Sequence, residues 1–157
     1  MANFILSETV WGWKTFKELS IEELYNILWL RQAAFVVEQD CPYFDIDGQD
    51  QAFLHLIGQF EDKLVGYLRL MPPQESNSPV YFGRVVVDKK YRGHGVAKIL
   101  IQSALDYVDL HFPHCVTVIS AQSYLEKFYN PFGFVKVGAP YDEDGIEHIA
   151  MRRNPRG

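Results

Sequence analysis

At 157 residues the chain has the usual size of one domain, and with 48% of its residues apolar and 15% aromatic it is rich enough in core material to exclude wholesale disorder. Its net charge of −5 comes without any Lys/Arg block, so a nucleic acid is not expected as partner, because phosphate binding needs clustered cations. The opening Met-Ala-Asn-Phe-Ile-Leu-Ser-Glu has neither a basic nor an apolar leader region, and no run approaches the roughly 18 apolar residues of a spanning helix, so a cytoplasmic protein without a membrane partner is expected. The two cysteines, Cys41 and Cys115, are far apart in sequence and are read as free thiols.

No internal repeat, low-complexity tract or long linker divides the chain, so residues 1–157 are read as a single domain. Ser20-Ile21-Glu22-Glu23 fits a capping box, and Ile21, Leu24, Tyr25 and Leu28 recur at helical spacing, predicting a helix from about Ile21 into Ala34 with that face in the core. Phe53 to Phe60 and Leu64 to Leu70 read as an antiparallel hairpin across the turn Glu61-Asp62-Lys63, and Val80 to Asp88 as a further strand. Val96, Leu100, Ile101, Ala104, Leu105 and Val108 mark an amphipathic helix starting at Gly95. Cys115 to Ser120 is β-branched and strand-like. A short helix, Ser123 to Tyr129, is expected to stop at Asn130-Pro131, since the residue before proline is pushed out of helical geometry. Val135 to Val137 and Ile146 to Met151 complete the order β, α, β, β, β, α, β, α, β, β, which implies an α/β fold with a mixed sheet covered by helices.

One segment carries chemistry. A strand, a basic turn with two glycines and a helix form an anion site when unpaired amides and the positive helix end point at one ligand. Here the donors are the amides of Gly93, His94, Gly95, Val96 and Ala97, with Arg92 and Lys98 adding charge; an ordinary strand-to-helix turn is the competing reading. A Walker loop is excluded because no Gly-Lys-Ser/Thr follows, and the dinucleotide pattern lacks its third glycine where Lys98 stands.

Arg92-Gly93-His94-Gly95-Val96-Ala97, after the strand Gly83 to Asp88, resembles the pyrophosphate signature Gln/Arg-x-x-Gly-x-Gly/Ala of the GNAT superfamily of N-acetyltransferases. Tyr129-Asn130-Pro131-Phe132-Gly133-Phe134 is similar to the closing Tyr-x-x-x-Gly-Phe element of the same superfamily. Arg31 to Asp50 with His55, and Ala139 to Ile149, narrow the resemblance to the ElaA-like subgroup. That resemblance implies a mixed sheet of six to seven strands flanked by about four helices, acetyl-CoA as co-substrate, and direct attack of a primary amine on the thioester. It implies pantetheine contacts from the backbone of Val85, Val86 and Val87, with the amide of Val86 or Val87 near the thioester carbonyl. Gln122 stands where many members carry an asparagine that contacts the pantetheine arm. Tyr129 is implied as the acid that meets the departing thiolate, with Tyr124 as the weaker alternative.

A protonated amine must also lose a proton, and Glu38 and His55 are the candidates: Glu38 for its apolar surroundings, which would raise a carboxyl pKa, and His55 for its place on the hairpin. Arg31 could instead pair with Glu38. Asp45, Asp47 and Asp50 suit a cationic acceptor on a loop at the substrate side, and Glu143, Glu147 and His148 could face the same cleft. No metal is expected: an EF-hand aligned on Gly48 puts Tyr43 and Leu54 at positions that need carboxylates, and His and Cys are too scattered for zinc. A coenzyme-binding module without catalysis, and an acyltransferase with another kind of acceptor, remain open beside the acetyltransferase. The C-terminal strands and aromatic surface are compatible with a homodimer.

Overall fold

The computed structural model describes residues 2–156, and the side chains from residue 4 onward. A seven-stranded mixed sheet forms its centre, in the order β1 (Val10–Thr15), β2 (Leu54–Phe60), β3 (Lys63–Met71), β4 (Val80–Val87), β5 (Thr117–Gln122), β7 (Ile146–Arg153) and β6 (Val135–Glu143). Four α-helices accompany it among the described residues: α1 (Ala2–Glu8), α2 (Ile21–Arg31), α3 (Val96–His111) and α4 (Glu126–Tyr129). The expected sheet, helices and order are all present; α1 and the boundaries of β1 carry no signal that the sequence patterns revealed.

The β2–β3 hairpin closes over Glu61 and Asp62, both at positive φ (48° and 62°), the turn that matches strand twist even though no glycine is there. β3 and β2 alternate across the sheet: Leu56 and Leu68 face the main core with α3, whereas Ile57 and Tyr67 face α2. All six apolar positions expected on α3 are buried.

Helix α2 departs from expectation. Its spacing is helical, but Ile21 and Tyr25 are exposed, and Ile27, Leu30 and Arg31 are buried instead. Apolar residues surround much of this helix, so periodicity alone does not choose a face, and the contacts with Ile57, Tyr67 and Val86 do. Only half of the capping box forms: Ser20 accepts from the Glu23 amide at 3.0 Å, while the Glu23 carboxylate turns to Lys14 at 2.6 Å. From Gln32 to Glu38 the helix widens into a π-helix, a form found mostly at functional sites.

The second departure is at Asn130. It keeps helical angles (φ −53°, ψ −44°), and a 3-10 turn runs on through Asn130–Phe132, because Pro131 sits in a first turn where its missing N–H costs little. Gly133, at φ 93°, ends the turn.

Two irregularities open the sheet. β4 and β5, the parallel pair, touch only at Val80↔Thr117 and Tyr81↔Val118, and beyond these they diverge. On its other side β4 bulges: Tyr67 pairs with Val86 and Arg69 with Gly83, leaving Arg84 as the extra residue, at φ 52°. A glycine inside a strand pattern, here Gly83, is the sequence mark of such a bulge.

Candidate active site

Two adjoining cavities lie along the divergence of β4 and β5. The first, of about 690 Å³, runs from Val85, Val86 and Val87 past Arg92, Gly93 and Gly95 to the start of α3, and is closed by Tyr124 and Phe128. The second, of about 390 Å³, lies between Phe82–Val85 and Ile119–Gln122, roofed by Cys41, Tyr43 and Phe44, with Glu143, Ile146 and His148 on its far wall. Phe35, Gln39, Val85, Leu125 and Tyr129 line both.

At one end of the first cavity the backbone leaves donors without a side-chain acceptor. Gly93 and Gly95 adopt φ of 81° and 84°, angles that strain any residue with a Cβ, and nothing occupies the space where a Cβ on Gly93 would point. Gly95 caps α3 without a side-chain acceptor, so the first amides of a 16-residue helix face outward unpaired. The first turn holds no acidic residue and does hold Lys98, which lines the cavity. That is the reverse of what a helix dipole favours internally, and it suits an external anion. His94 is half-buried and lines neither cavity. Arg92 is held at the mouth: Nε donates to Val87 O at 3.0 Å, and Nη1 and Nη2 donate to the two oxygens of Glu38 at 2.5 and 2.8 Å.

Backbone direction follows from one bond. The Asp88 amide donates to Val65 O at 2.9 Å, so alternation turns Val86 toward β3 as well, and the amide of Val87 points toward the divergence. Of the two amides expected near a thioester, Val87 therefore faces the cavity and Val86 does not.

Tyr129 is 6% exposed, lines both cavities, and its hydroxyl has no hydrogen-bond partner among the described residues. Burial, with Tyr124 nearby, pushes this phenol up to about 12. Tyr124 itself is largely exposed on the rim of the first cavity. Gln122 lines the second cavity rather than the first and donates to Gln39 Oε1 at 3.3 Å.

The two proton acceptors expected from sequence are corrected by their surroundings. His55 is 1% exposed and lines neither cavity. Nε2 lies 2.9 Å from Asp50 O and therefore donates, while Nδ1 accepts from the Tyr67 hydroxyl at 2.6 Å; burial holds the ring below the usual histidine range, so it is neutral and occupied. Glu38 lines the first cavity, but the Arg92 hydrogen bonds hold its carboxyl below the usual range, opposite to the expected rise. The π-helix turns Glu38 outward, about 39% exposed, instead of into an apolar wall.

Nor does Arg31 meet Glu38. Arg31 donates from Nε to Asp45 at 2.8 Å and from Nη1 to Asp50 at 2.7 Å; Arg69 donates to Asp47 at 2.6 Å and Asp50 at 2.9 Å; Arg84 Nε stands 2.8 Å from Asp45. Three arginines thus consume the three aspartates expected to attract a cationic acceptor, and Asp47 is held well below the usual carboxylate range, chiefly by its Arg69 hydrogen bond. The network fixes the loop that roofs the second cavity. No composition or periodicity reveals such pairing, because its members lie far apart in sequence.

On the C-terminal wall, strand alternation sends Ile146 and His148 into the second cavity and leaves Glu147 exposed outside it. Glu143 joins them, with Oε2 3.1 Å from His148 Nε2. Cys41 and Cys115 are free thiols; Cys41 Sγ donates to Asp144 O at 3.2 Å and ties the loop to the β6–β7 turn. No helix among the described residues is long and apolar enough to cross a membrane.

The same architecture recurs in known proteins. A UPF0039 protein of Synechocystis sp. is 43% identical over 92% of this chain and 94% of its own. The crystal structure of Escherichia coli ElaA superposes with a TM-score of 0.86 at 40% identity, covering 93% of this chain and 99% of that one. An acyl-CoA N-acyltransferase from Pseudomonas aeruginosa superposes with a TM-score of 0.86 at 39% identity, covering 92% and 99%. Residues 18–155 match the acetyltransferase (GNAT) domain family. The chain belongs to the GNAT acyltransferases, in an ElaA-like branch, and is an enzyme of the acyl-CoA N-acyltransferase kind.

Proposed function

We propose that the enzyme transfers an acetyl group from acetyl-CoA to a primary amine of a small molecule or peptide. The observation that carries this reading is the meeting of two cavities at Val85 and Tyr129, one ending in an unpaired helix N-terminus and the other walled by polar side chains. The amides from Gly93 to Ala97 and the side chains of Arg92 and Lys98 would hold the pyrophosphate, and Val85 and Val87 would hydrogen-bond the pantetheine arm and the thioester carbonyl. Bound acetyl-CoA supplies an activated acyl group. The chain's part is to align the amine and to handle protons.

Tyr129, which lines both cavities, is the donor that would meet the leaving sulfur. With its phenol near 12, against about 8.5 for a thiol, full transfer is uphill by ~5 kcal/mol, so it acts by hydrogen bonding as the C–S bond opens rather than by surrendering its proton early. Tyr129→Phe should lower kcat about tenfold or more and leave coenzyme affinity nearly unchanged. Thiol release from acetyl-CoA, followed across polyamines, amino acids, aminoglycosides and peptides, tests the whole reading. Coenzyme binding without turnover on any acceptor would turn the site into a binding module, and no coenzyme binding at millimolar concentration would remove the proposal.

A further inference from the structure

Four polar side chains on the β5–β7–β6 wall of the second cavity form one hydrogen-bonded chain. The Tyr141 and Ser120 hydroxyls are bonded to each other, Ser120 Oγ donates to Glu143 Oε2 at 3.5 Å, and that oxygen lies 3.1 Å from His148 Nε2. The inner end is fixed. His148 Nδ1 stands 2.8 Å from Ile146 O, and a carbonyl only accepts, so Nδ1 carries a hydrogen. Nε2 and a carboxylate oxygen at 3.1 Å then need a proton between them, since two facing lone pairs repel.

This is the arrangement of the pair with a proton aboard; the two groups work as a unit, and they can take up another proton only after that one has left to solvent. His148 is 9% exposed, whereas the Glu143 side chain is 48% exposed, so the unit has a sheltered end and an end open to the cavity. Oε2 is engaged; Oε1 has no hydrogen-bond partner among the described residues. The aspartates of the roof are spent on arginines, which leaves Glu143 and Asp144 as the carboxylates in this wall free of an arginine.

We propose that Glu143 and His148 take the proton that an acceptor ammonium must lose, with Glu143 Oε1 as the docking point for its N–H. This rests on the amine reading above. Of the three ammonium protons, one passes to the emptied pair and leaves to solvent from the Glu143 carboxyl, whose side chain is 48% exposed. As the N–C bond forms and the C–S bond breaks, a second ends on the departing sulfur and the third stays on the amide nitrogen. One proton is released per acyl group moved, and the charge balances. The groups that face the pair are Tyr141 on β6, Asp144 in the turn, Cys41 and Tyr43 on the roof, Arg84 on β4 and Tyr129 on α4.

The test follows thiol release from acetyl-CoA between pH 6 and 10 in wild type, Glu143→Gln and His148→Gln, with primary alkylamines and with weakly basic arylamines. Each variant should lose about 100-fold in kcat/KM for alkylamines at pH 7. The deficit should shrink as pH approaches the amine's own pKa, and it should be absent for arylamines, which arrive unprotonated. Coenzyme affinity should not move. An equal loss at every pH and for both amine classes marks a merely structural role and overturns the assignment, as does full activity in both variants. Turnover of no amine by wild type removes the amine reading and this assignment with it; wild-type turnover with unaffected variants removes this assignment alone.

Discussion

The two cavities are made in different ways. The larger takes most of its wall from consecutive stretches, Val85 to Val87 and Arg92 to Lys98, whereas the smaller collects Cys41, Arg84, Ser120, Glu143 and His148 from five separate elements. In the first, amides are left unpaired at the start of α3 and are available to a ligand. In the second, much of the charge is already committed: Asp45, Asp47 and Asp50 answer Arg31, Arg69 and Arg84. One cavity is a preformed backbone cradle, and the other a loop held over a sheet by buried ion pairs.

Breaking that hold gives the largest expected effect. Asp50 Oδ1 accepts from Arg31 Nη1 at 2.7 Å and Arg69 Nη1 at 2.9 Å, and all three side chains are at most 7% exposed. Asp50→Ala leaves two guanidinium groups short of a partner where water cannot replace it, and should cost about 3–5 kcal/mol in denaturant unfolding. Coenzyme affinity in the variant, measured below its unfolding midpoint, should change far less than activity on an amine. Equal losses in both would mean that the cradle depends on the loop and that the two regions are not separable.

The same contrast explains what the sequence made legible. Helix α3 and the glycines before it are local: the period of Val96 to Val108 and the positive φ of Gly93 and Gly95 belong to neighbouring residues, and a pattern search reaches them. Tyr129, which lines both cavities, also belongs to a contiguous motif. The sequence neighbours of Glu38 and His55 do not set their chemistry; Arg92 and Tyr67 do, and both are distant in the chain. The buried face of α2 is not legible locally for the same reason, since Ile57 and Tyr67 decide it. On the C-terminal wall, alternation alone could have separated His148 from Glu147, but only the bond to Glu143 gives that wall a function to propose.

His55 belongs to the locked region, and its pH behaviour should say so. Burial keeps the folded pKa below the unfolded value near 6.5, so the unfolded chain binds the proton first as pH falls. The contribution of His55 is complete above about pH 6.5 and is lost progressively below it, so stability should fall between pH 7 and pH 5. Asp47, held low by Arg69, adds its loss only below the unfolded carboxylate range near 4. In His55→Gln the slope between pH 7 and 5 should flatten, while the pH profile of acyl transfer keeps its shape. A shifted activity profile would return His55 to the mechanism.

The smallest effect expected, and the one that reaches into the cradle, is at Glu38. Its carboxylate holds both terminal nitrogens of Arg92 at 2.5 and 2.8 Å, across the mouth where a pyrophosphate would need the same guanidinium. The pair is about 40% exposed on either side, so water screens it and exchanging one anion for another costs little. Glu38→Gln removes the competitor and one like charge from the phosphate's approach, and should tighten coenzyme A binding two- to fivefold, about 0.5–1 kcal/mol, by calorimetry. The gain should vanish in high salt, where the exposed pair is already weak. Weaker binding would assign Glu38 the opposite part, holding Arg92 in position for the phosphate. An unchanged kcat and pH dependence in the same variant separates Glu38 from proton transfer, because an amine's base would move those and not the affinity of the coenzyme.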